Sequence, residues 1–279
     1  LEEGVIRLVS LPAGVELRSG RAVFSIPGFP HEEYPPILAF ATGGSARMAA
    51  VDLFSLLEQT SFAVGGSPGI NGAYLEIVEV AGYKRLRMVA TDGYRLASAE
   101  AVFDGEVTVT PRMLVPRKAL AALQRLLIRG DDEVVEWSFG EGAIRITWAT
   151  QVFWCTLIDG VFPDYHAIVP TQHAHRARVR VSDLANMLRR ARVVRTRVVR
   201  FAFRNGSLAI ESAGDSGKMV ESMSIELEGG PIEVNFQPRY WTDVLAVVRG
   251  DYVVVELTGT LGTCVVRDTD TFYLIAASL

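Results

Sequence analysis

Apolar and polar side chains alternate with a period of two along most of this chain, a pattern that predicts many short strands and few helices. Leu86, Met88 and Ala90 alternate with Arg87, Val89 and Thr91. Asp92-Gly93 follows as a hairpin turn, and Tyr94 to Ala99 reads as the returning strand. Val5 to Ile26 divides into three strands at Leu11-Pro-Ala-Gly14 and Arg18-Ser-Gly-Arg21. Further strands are predicted over 71–80, 107–115, 133–139, 143–150, 151–158, 176–181, 198–204 and 207–213, the last two joined by Asn205-Gly206. A pair then ends at Phe236, and three more run to the C-terminus. Four segments carry a helical period instead: Ala46 to Phe62, Pro116 to Ile128, a segment capped by Ser182-Asp183 that runs to Val194, and Pro238 to Val248. Pro116 and Pro238 open their helices, where the missing N–H costs nothing, and Gly130 and Gly250 close them. Thr42 to Arg47 reads as a small polar link and Gly65 to Gly69 as a flexible loop. Phe29 to Pro36 and Phe162 to Tyr165 read as connectors.

The pattern repeats. Val115 to Tyr165 and Phe236 to Leu279 each hold a proline-started helix, a Gly-Asp break (130–131 and 250–251) and three strands. Val5 to Tyr34 reproduces only the three strands and the Phe-Pro…Tyr connector. The chain thus reads as an α+β protein of two complete β-rich units, each with two helices packed on antiparallel sheets, preceded by the tail of a third. The boundaries fall at 1–40, 41–170 and 171–279. A start at Leu1 in strand-like text reads as a piece cut from a longer chain.

A hydrophobic content of 49% supplies a core for every unit. The net charge of -4 argues against nucleic acid, but its distribution changes that reading. Pro111 to Gly130 holds Arg112, Arg117, Lys118, Arg125 and Arg129 with no acid, and Thr171 to Gly206 holds ten arginines against Asp183 alone. The cations gather on or beside helices, and such faces contact phosphates without reading sequence. A solvated helix face is the plainer explanation of either cluster; its recurrence in both units favours the phosphate reading. No apolar run approaches the ~18 residues of a membrane span, and no signal peptide is legible. Cys155 and Cys264, far apart in strand-like text, read as buried reduced thiols of a cytoplasmic protein.

Catalytic chemistry is absent from the sequence pattern. Gly65 to Gly69 lacks the Lys-Ser/Thr of a phosphate-binding loop. His173-Ala-His175 has no clustered Cys, Asp or Glu and reads as a solvated linker, not a metal site. Asp92, Asp159 and Asp164 sit beside Gly or Pro, where the local hydrogen bonding of Asp in turns explains them.

Four stretches together carry a resemblance: Val89-Ala-Thr-Asp-Gly-Tyr-Arg-Leu-Ala97, Val115-Pro-Arg-Lys118, Leu157-Ile-Asp-Gly-Val-Phe-Pro-Asp-Tyr165 and Pro238-Arg-Tyr240. In order and spacing they resemble the bacterial DNA polymerase III beta subunit, the DNA sliding clamp, and Tyr273-Leu-Ile275 resembles its closing strand. The resemblance implies three domains of two helices backed by sheets, and a head-to-tail homodimer ring around duplex DNA with the helices inward. It implies a non-catalytic processivity factor without cofactor, metal or membrane attachment. Its implied partners are double-stranded DNA without sequence preference, the polymerase III alpha subunit, the clamp loader and other proteins bearing the clamp-binding motif. By position, the implied peptide pocket falls on Ile70, Thr91, Gly93, Arg95, Leu96, Pro163, Ile168, Leu261, Thr263, Leu274, Ile275 and Leu279. The implied DNA face falls on Arg117, Lys118 and Arg125, and the charge pattern adds Arg189 and Arg190. The Gly65–Gly69 loop matches a DNA-near loop but lacks its polar and basic residues. The ending Ala276-Ala-Ser-Leu279 departs from the family's Met-Pro-Met-Arg-Leu-like tail, and most of the first domain is missing.

Apolar anchors at Ile70, Leu96 and Ile168 suit Leu or Phe side chains of an extended peptide independently of any family. Each buried anchor stabilises by about 1.5–3 kcal/mol, so two or three give at most micromolar docking after ordering costs. A β-rich repeat adaptor that binds linear peptides without encircling DNA is the alternative from another class, and an enzyme on this scaffold is a third.

Overall fold

The computed structural model describes residues 5–33, 42–67, 70–105, 113–127, 133–140, 142–260, 262–269 and 271–277. The chain forms two compact units, Leu1–Phe40 and Ala41–Leu279. In the first, β1 (Arg7–Leu11), β2 (Gly14–Ser19) and β3 (Ala22–Pro27) form an antiparallel meander.

The second unit runs β4 (Thr42–Ala49), α1 (Ala50–Thr60), β5 (Gly72–Val80), β6 (Tyr83–Thr91), β7 (Arg95–Val102), β8 (Met113–Pro116), α2 (Arg117–Leu126), β9 (Val134–Gly140), β10 (Ala143–Trp148) and β11 (Gln151–Thr156). A second series of the same kind follows: β12 (His175–Arg180), α3 (Val181–Ala191), β13 (Val199–Arg204), β14 (Ser207–Gly214), β15 (Gly217–Ser224), β16 (Glu226–Glu228), β17 (Ile232–Phe236), α4 (Pro238–Leu245), β18 (Tyr252–Leu257), β19 (Thr263–Arg267) and β20 (Thr271–Ala276).

Three antiparallel sheets result. Two have four strands, in the orders β11-β10-β9-β4 and β15-β14-β13-β17. The third has nine, in the order β16-β12-β18-β19-β20-β7-β6-β5-β8, and its β20–β7 ladder joins the two repeats. Leu274 lies opposite Leu96 and Ile275 opposite Arg95. The helices share one side of this sheet. Met88, Ala90, Ala97, Ala99, Tyr273 and Ile275 belong to the main core with Leu53 and Leu56 of α1 and Trp241 of α4. Alanines on β6 and β7 bring α1 close to the sheet. Trp241 is fully buried, stacked on Phe201 at 4.7 Å and edge-on to Phe236 at 5.4 Å.

Several expected boundaries move. Thr42 to Arg47 is a strand, not a link: Ala46 and Met48 are buried while Ser45 and Arg47 are exposed, so the first helix starts at Ala50. Ser182 does not cap α3; Arg180 holds the N-cap position and the Ser182 hydroxyl donates to Asp183 Oδ1 at 3.3 Å. That helix ends at Ala191 and passes into a single 3-10 turn, Arg192–Val194. The strand pair before Phe236 is three strands. Ile225 turns into the core and its N–H donates to the Gly206 carbonyl, which breaks the ladder after Ser224. Pro238 opens a helix of only two turns, ending at Leu245. Residues 107–112 and 128–132, including Arg112 and Arg129, lie outside the described residues.

Candidate functional site

The Thr91–Arg95 turn is built by its own side chains. Asp92 Oδ1 accepts the backbone N–H groups of Tyr94 and Arg95 at 3.0 Å each, and Thr91 Oγ1 donates to the Arg95 carbonyl at 2.7 Å while accepting the Gly93 N–H. Gly93 has φ +90°, a conformation that disfavours a side chain. Asp92 is therefore turn chemistry, as its neighbours imply. The turn is tied to both repeats: Gly65 N–H donates to the Thr91 carbonyl and Ala276 N–H to that of Tyr94, each at 3.0 Å.

Arg95 does not project into a pocket. Its side chain is 5% exposed, and its guanidinium bonds Asp92 Oδ2 at 3.0 Å, Asp243 Oδ2 on α4 at 2.6 Å and the Phe62 carbonyl at 3.0 Å. It also lies over the rings of Phe62 (5.1 Å) and Tyr240 (5.0 Å). The arginine is an inter-repeat clasp on the helix side of the sheet. Ile275, opposite it on β20, is fully buried on the same side and offers nothing to a ligand there.

On the opposite sheet face Val89, Leu96, Val265 and Leu274 form a small buried cluster under Tyr165, with Tyr74, Phe162, Val169 and Phe272 packed around it. Leu96 is only 2% exposed, so it is floor, not anchor surface. The Phe162–Tyr165 connector is pinned from below. Tyr165 donates its hydroxyl to Glu76, and Arg87 bonds that hydroxyl at 3.0 Å, Glu76 at 3.2 Å and Glu100 at 2.8 Å. Burial pushes the Tyr165 phenol far above its ordinary value, so it stays a donor. Beyond it Ile168 stands 54% exposed, with exposed Pro163 and half-exposed Thr263 and Ile70. Ile70 packs at the turn, since a Cβ on Gly65 would meet its Cδ1 at 2.7 Å and Asp92 Cα at 3.1 Å. Thr91 is buried in the turn and Gly93 is exposed on it. Leu261 and Leu279, and Pro68-Gly69 of the flexible loop, lie outside the described residues.

Arg117, Lys118, Arg125 and Arg189 are exposed on α2 and α3, and among the described residues none of them takes part in an ion pair. Arg190 differs: its guanidinium grips the Glu221 carboxylate of β15 through both Nε (2.7 Å) and Nη2, which raises its already high pKa and spends its charge locally. Arg176, Arg178 and Arg180 alternate with buried Ala177 and Val179 on β12, so they face away from the helices. Arg200 and Arg204 likewise leave the helix side and pair with Glu211 and Glu233. The run of ten arginines is thus split between two faces.

Nothing assembles a reaction centre from these groups. Burial pushes the Cys155 thiol up to about 11 and raises that of Cys264 as well, so neither is a poised thiolate. Among the described residues no group of three or more His, Cys, Asp and Glu is placed to hold a metal ion, and no described helix is long and apolar enough to cross a membrane. His173 is not solvated linker: its Nε2 lies 3.0 Å from the Glu256 carboxylate, which Arg267 also holds at 2.7 Å. Sequence reading missed Asp243, Phe62 and Tyr240 as partners of Arg95. Only the Arg-Tyr after Pro238 hinted at them.

Two family profiles match the chain: the DNA polymerase III beta subunit central domain over 48–164, and its C-terminal domain over 166–278. The beta sliding clamp of Caulobacter vibrioides is 29% identical over 244 residues, covering 84% of this chain and 64% of the relative. That of Vibrio cholerae is 28% identical over 263 residues, covering 92% and 70%. Among solved structures, a sliding clamp from Pseudomonas aeruginosa matches at TM-score 0.89 with 27% identity, over 98% of this chain and 76% of the other. A sliding clamp from Bartonella birtlesii bound to griselimycin matches at 0.89 with 28% identity over the same shares. The chain thus spans just under two thirds of the length of the Caulobacter relative.

Proposed function

The chain belongs to the DNA polymerase III beta-subunit family, and on that premise we propose that it is the greater part of a DNA sliding clamp, with domain limits at 1–40, 41–170 and 171–279. The proposed clamp is a non-catalytic, cytoplasmic processivity factor. It encircles duplex DNA as a head-to-tail homodimer ring and tethers the polymerase III alpha subunit, the clamp loader and other motif-bearing proteins.

One observation carries the ring: the β20–β7 ladder that joins the two repeats has unused equivalents. In the repeat, β11 corresponds to β20 and β15 to β7, and both are edge strands of their four-stranded sheets. Among the described residues of this unit an edge of each kind is unpaired and suits the same head-to-tail pairing, and such pairing closes into a ring when the rotation allows. The helices lie on one side of the continued sheet, and Arg117, Lys118, Arg125 and Arg189, which form no salt bridge among the described residues, lie on those helices. Phosphate contacts of that kind position DNA without reading it.

Duplex binding of any sequence should therefore weaken steeply with salt. With Arg117→Ala and Lys118→Ala together, the slope of log K against log salt should fall by about 1.8, at about 0.9 per lost phosphate contact. An unchanged slope would remove α2 from the DNA face, and salt-independent or absent duplex binding would leave the peptide-binding adaptor. For docking, the surface lies around Ile168, Pro163, Ile70 and Thr263 over the Leu96–Leu274 floor. Ile168→Glu, at an exposed position, should keep the fold and weaken a polymerase-tail peptide at least tenfold by calorimetry, in line with the ~1.5–3 kcal/mol of one apolar anchor. Equal affinity of mutant and parent would move the pocket elsewhere.

A further inference from the structure

The stretch 159–173 carries the docking turn across the sheet face that points away from the helices. Among the described residues none of its backbone groups bonds a strand. Ile158 N–H donates to the Leu114 carbonyl just before it, and Ala174 N–H to that of Leu257 just after it. Between them Val169 N–H closes the turn on the Tyr165 carbonyl at 3.3 Å. Side chains hold the stretch instead. Phe162 stacks on Tyr74 with ring centroids 5.3 Å apart, Tyr165 sinks into the cluster with Leu96 and Leu274, and His173 meets Glu256 at 3.0 Å. Of these, Tyr165 belongs to the 3-10 turn, Tyr165–Ile168, whose other end presents Ile168. Beneath it a row of charge crosses three strands: Glu76 on β5 lies opposite Arg87 on β6, and Arg87 opposite Glu100 on β7. Arg87 gives Nε and Nη2 to Glu100, at 2.8 and 2.6 Å, and Nη1 to Glu76 at 3.2 Å. Two carboxylates already balance this guanidinium, yet Nη1 also donates to the Tyr165 hydroxyl at 3.0 Å, and that hydroxyl donates onward to Glu76. The phenol oxygen is therefore held from two sides by charged groups, in a closed cycle of three bonds.

We propose that Arg87 and Tyr165 are positioning residues of the docking surface: the bond between them fixes the Tyr165–Ile168 turn, and with it the Ile168 anchor, over the Leu96–Leu274 floor. The inference rests on the docking reading above. Neither side chain touches the peptide. Tyr165 is 3% exposed, and Arg87 lies in the charge row under it. A turn held from below is ordered before the peptide arrives, so its ordering does not count against binding. Burial of the ring alone does not fix the turn in this way. Apolar packing is non-directional and lets the ring slide over the floor, whereas the two bonds to its hydroxyl set both position and height.

The test is calorimetry of a synthetic tail peptide with Leu and Phe anchors, titrated into the 279-residue chain. Tyr165→Phe keeps the ring and should weaken the peptide about three- to tenfold, the range of one net hydrogen bond. Arg87→Lys keeps the charge but not the fork, and should weaken it similarly. The two changes together should cost little more than either alone, because they remove one shared bond. With Ile168→Ala already present, Tyr165→Phe should lose less than half of its effect, since the anchor it positions is gone. Phe203→Leu, in the core away from the turn, should lower urea stability at least as much as Tyr165→Phe and leave the peptide affinity unchanged. Losses that add in full, an equal Tyr165→Phe effect with and without Ile168, or an equal loss in Phe203→Leu would each overturn the positioning role. Parent-like binding by Tyr165→Phe, beside a loss in Ile168→Glu, would overturn it too and leave the docking surface standing. Parent-like binding by both would remove the docking surface itself.

Discussion

Leu96→Glu should unfold the sheet junction, not merely block docking. The side chain is 2% exposed, packed with Val89, Val265, Leu274 and Tyr165. A carboxylate there loses the leucine's packing and must either ionise without solvent or stay protonated. The expected cost at pH 7 is about 6 kcal/mol, from roughly 2–3 for the lost apolar packing and about 3.7 for holding the acid neutral. The sign with pH is fixed. The folded-state pKa of the new acid lies above its unfolded value near about 4.3, so the penalty grows as pH rises above that value and shrinks below it. Urea unfolding of parent and mutant at pH 5 and pH 7.5 checks both parts: the gap should be wider at the higher pH. A stable Leu96→Glu chain that has lost only peptide binding would make Leu96 an exposed anchor, contrary to its burial here.

Arg95→Ala is expected to lower stability by about 3 kcal/mol, toward the lower end of what breaking a buried ion pair costs. Its carboxylate partners are partly solvated, Asp92 at 23% and Asp243 at 32% side-chain exposure, which keeps the loss from reaching the upper end. The mutation also leaves the Phe62 carbonyl without this donor and removes the cation from between Phe62 and Tyr240. Arg95→Lys should recover less than half, because one ammonium cannot span Asp92, Asp243 and the Phe62 carbonyl as the planar fork does. Peptide affinity should fall with it, although Arg95 touches no ligand, because this side chain holds the Thr91–Tyr94 turn against α4 together with the Tyr94–Tyr240 ring contact and the β20–β7 ladder. A loss below about 1 kcal/mol in denaturant would mean that the ladder alone sets the junction.

The two predictions mark where sequence reasoning reached and where it stopped. The hairpin at Asp92-Gly93, the helix opened by Pro238 and the three-strand tail of each repeat were legible, because each depends on local geometry: a left-handed glycine, a missing N–H, a two-residue pleat; Pro116 instead ends β8 and caps the helix that begins at Arg117. Thr42 to Arg47 escaped because glycine, serine and alanine carry little hydrophobic contrast, and only the pairing with β9 makes them a strand. The arginines of 171–206 could be counted but not sorted. Those of β12 and β13 turn away from the helices by the pleat, and Glu221 on another strand neutralises Arg190.

By itself the sequence determined the elements, their repetition and the family, since periodicity and turn chemistry are properties of neighbouring residues. The tertiary structure alone decided which face each element turns to the ligand side. Leu96 and Ile275 look alike as pocket residues in the chain, yet the β20–β7 register puts them on opposite faces of one sheet. Arg95 reads as a ligand contact until Asp243, 148 residues away, is brought to 2.6 Å. Pairings over such separations depend on strand register and helix packing across the whole unit, and no local pattern encodes them.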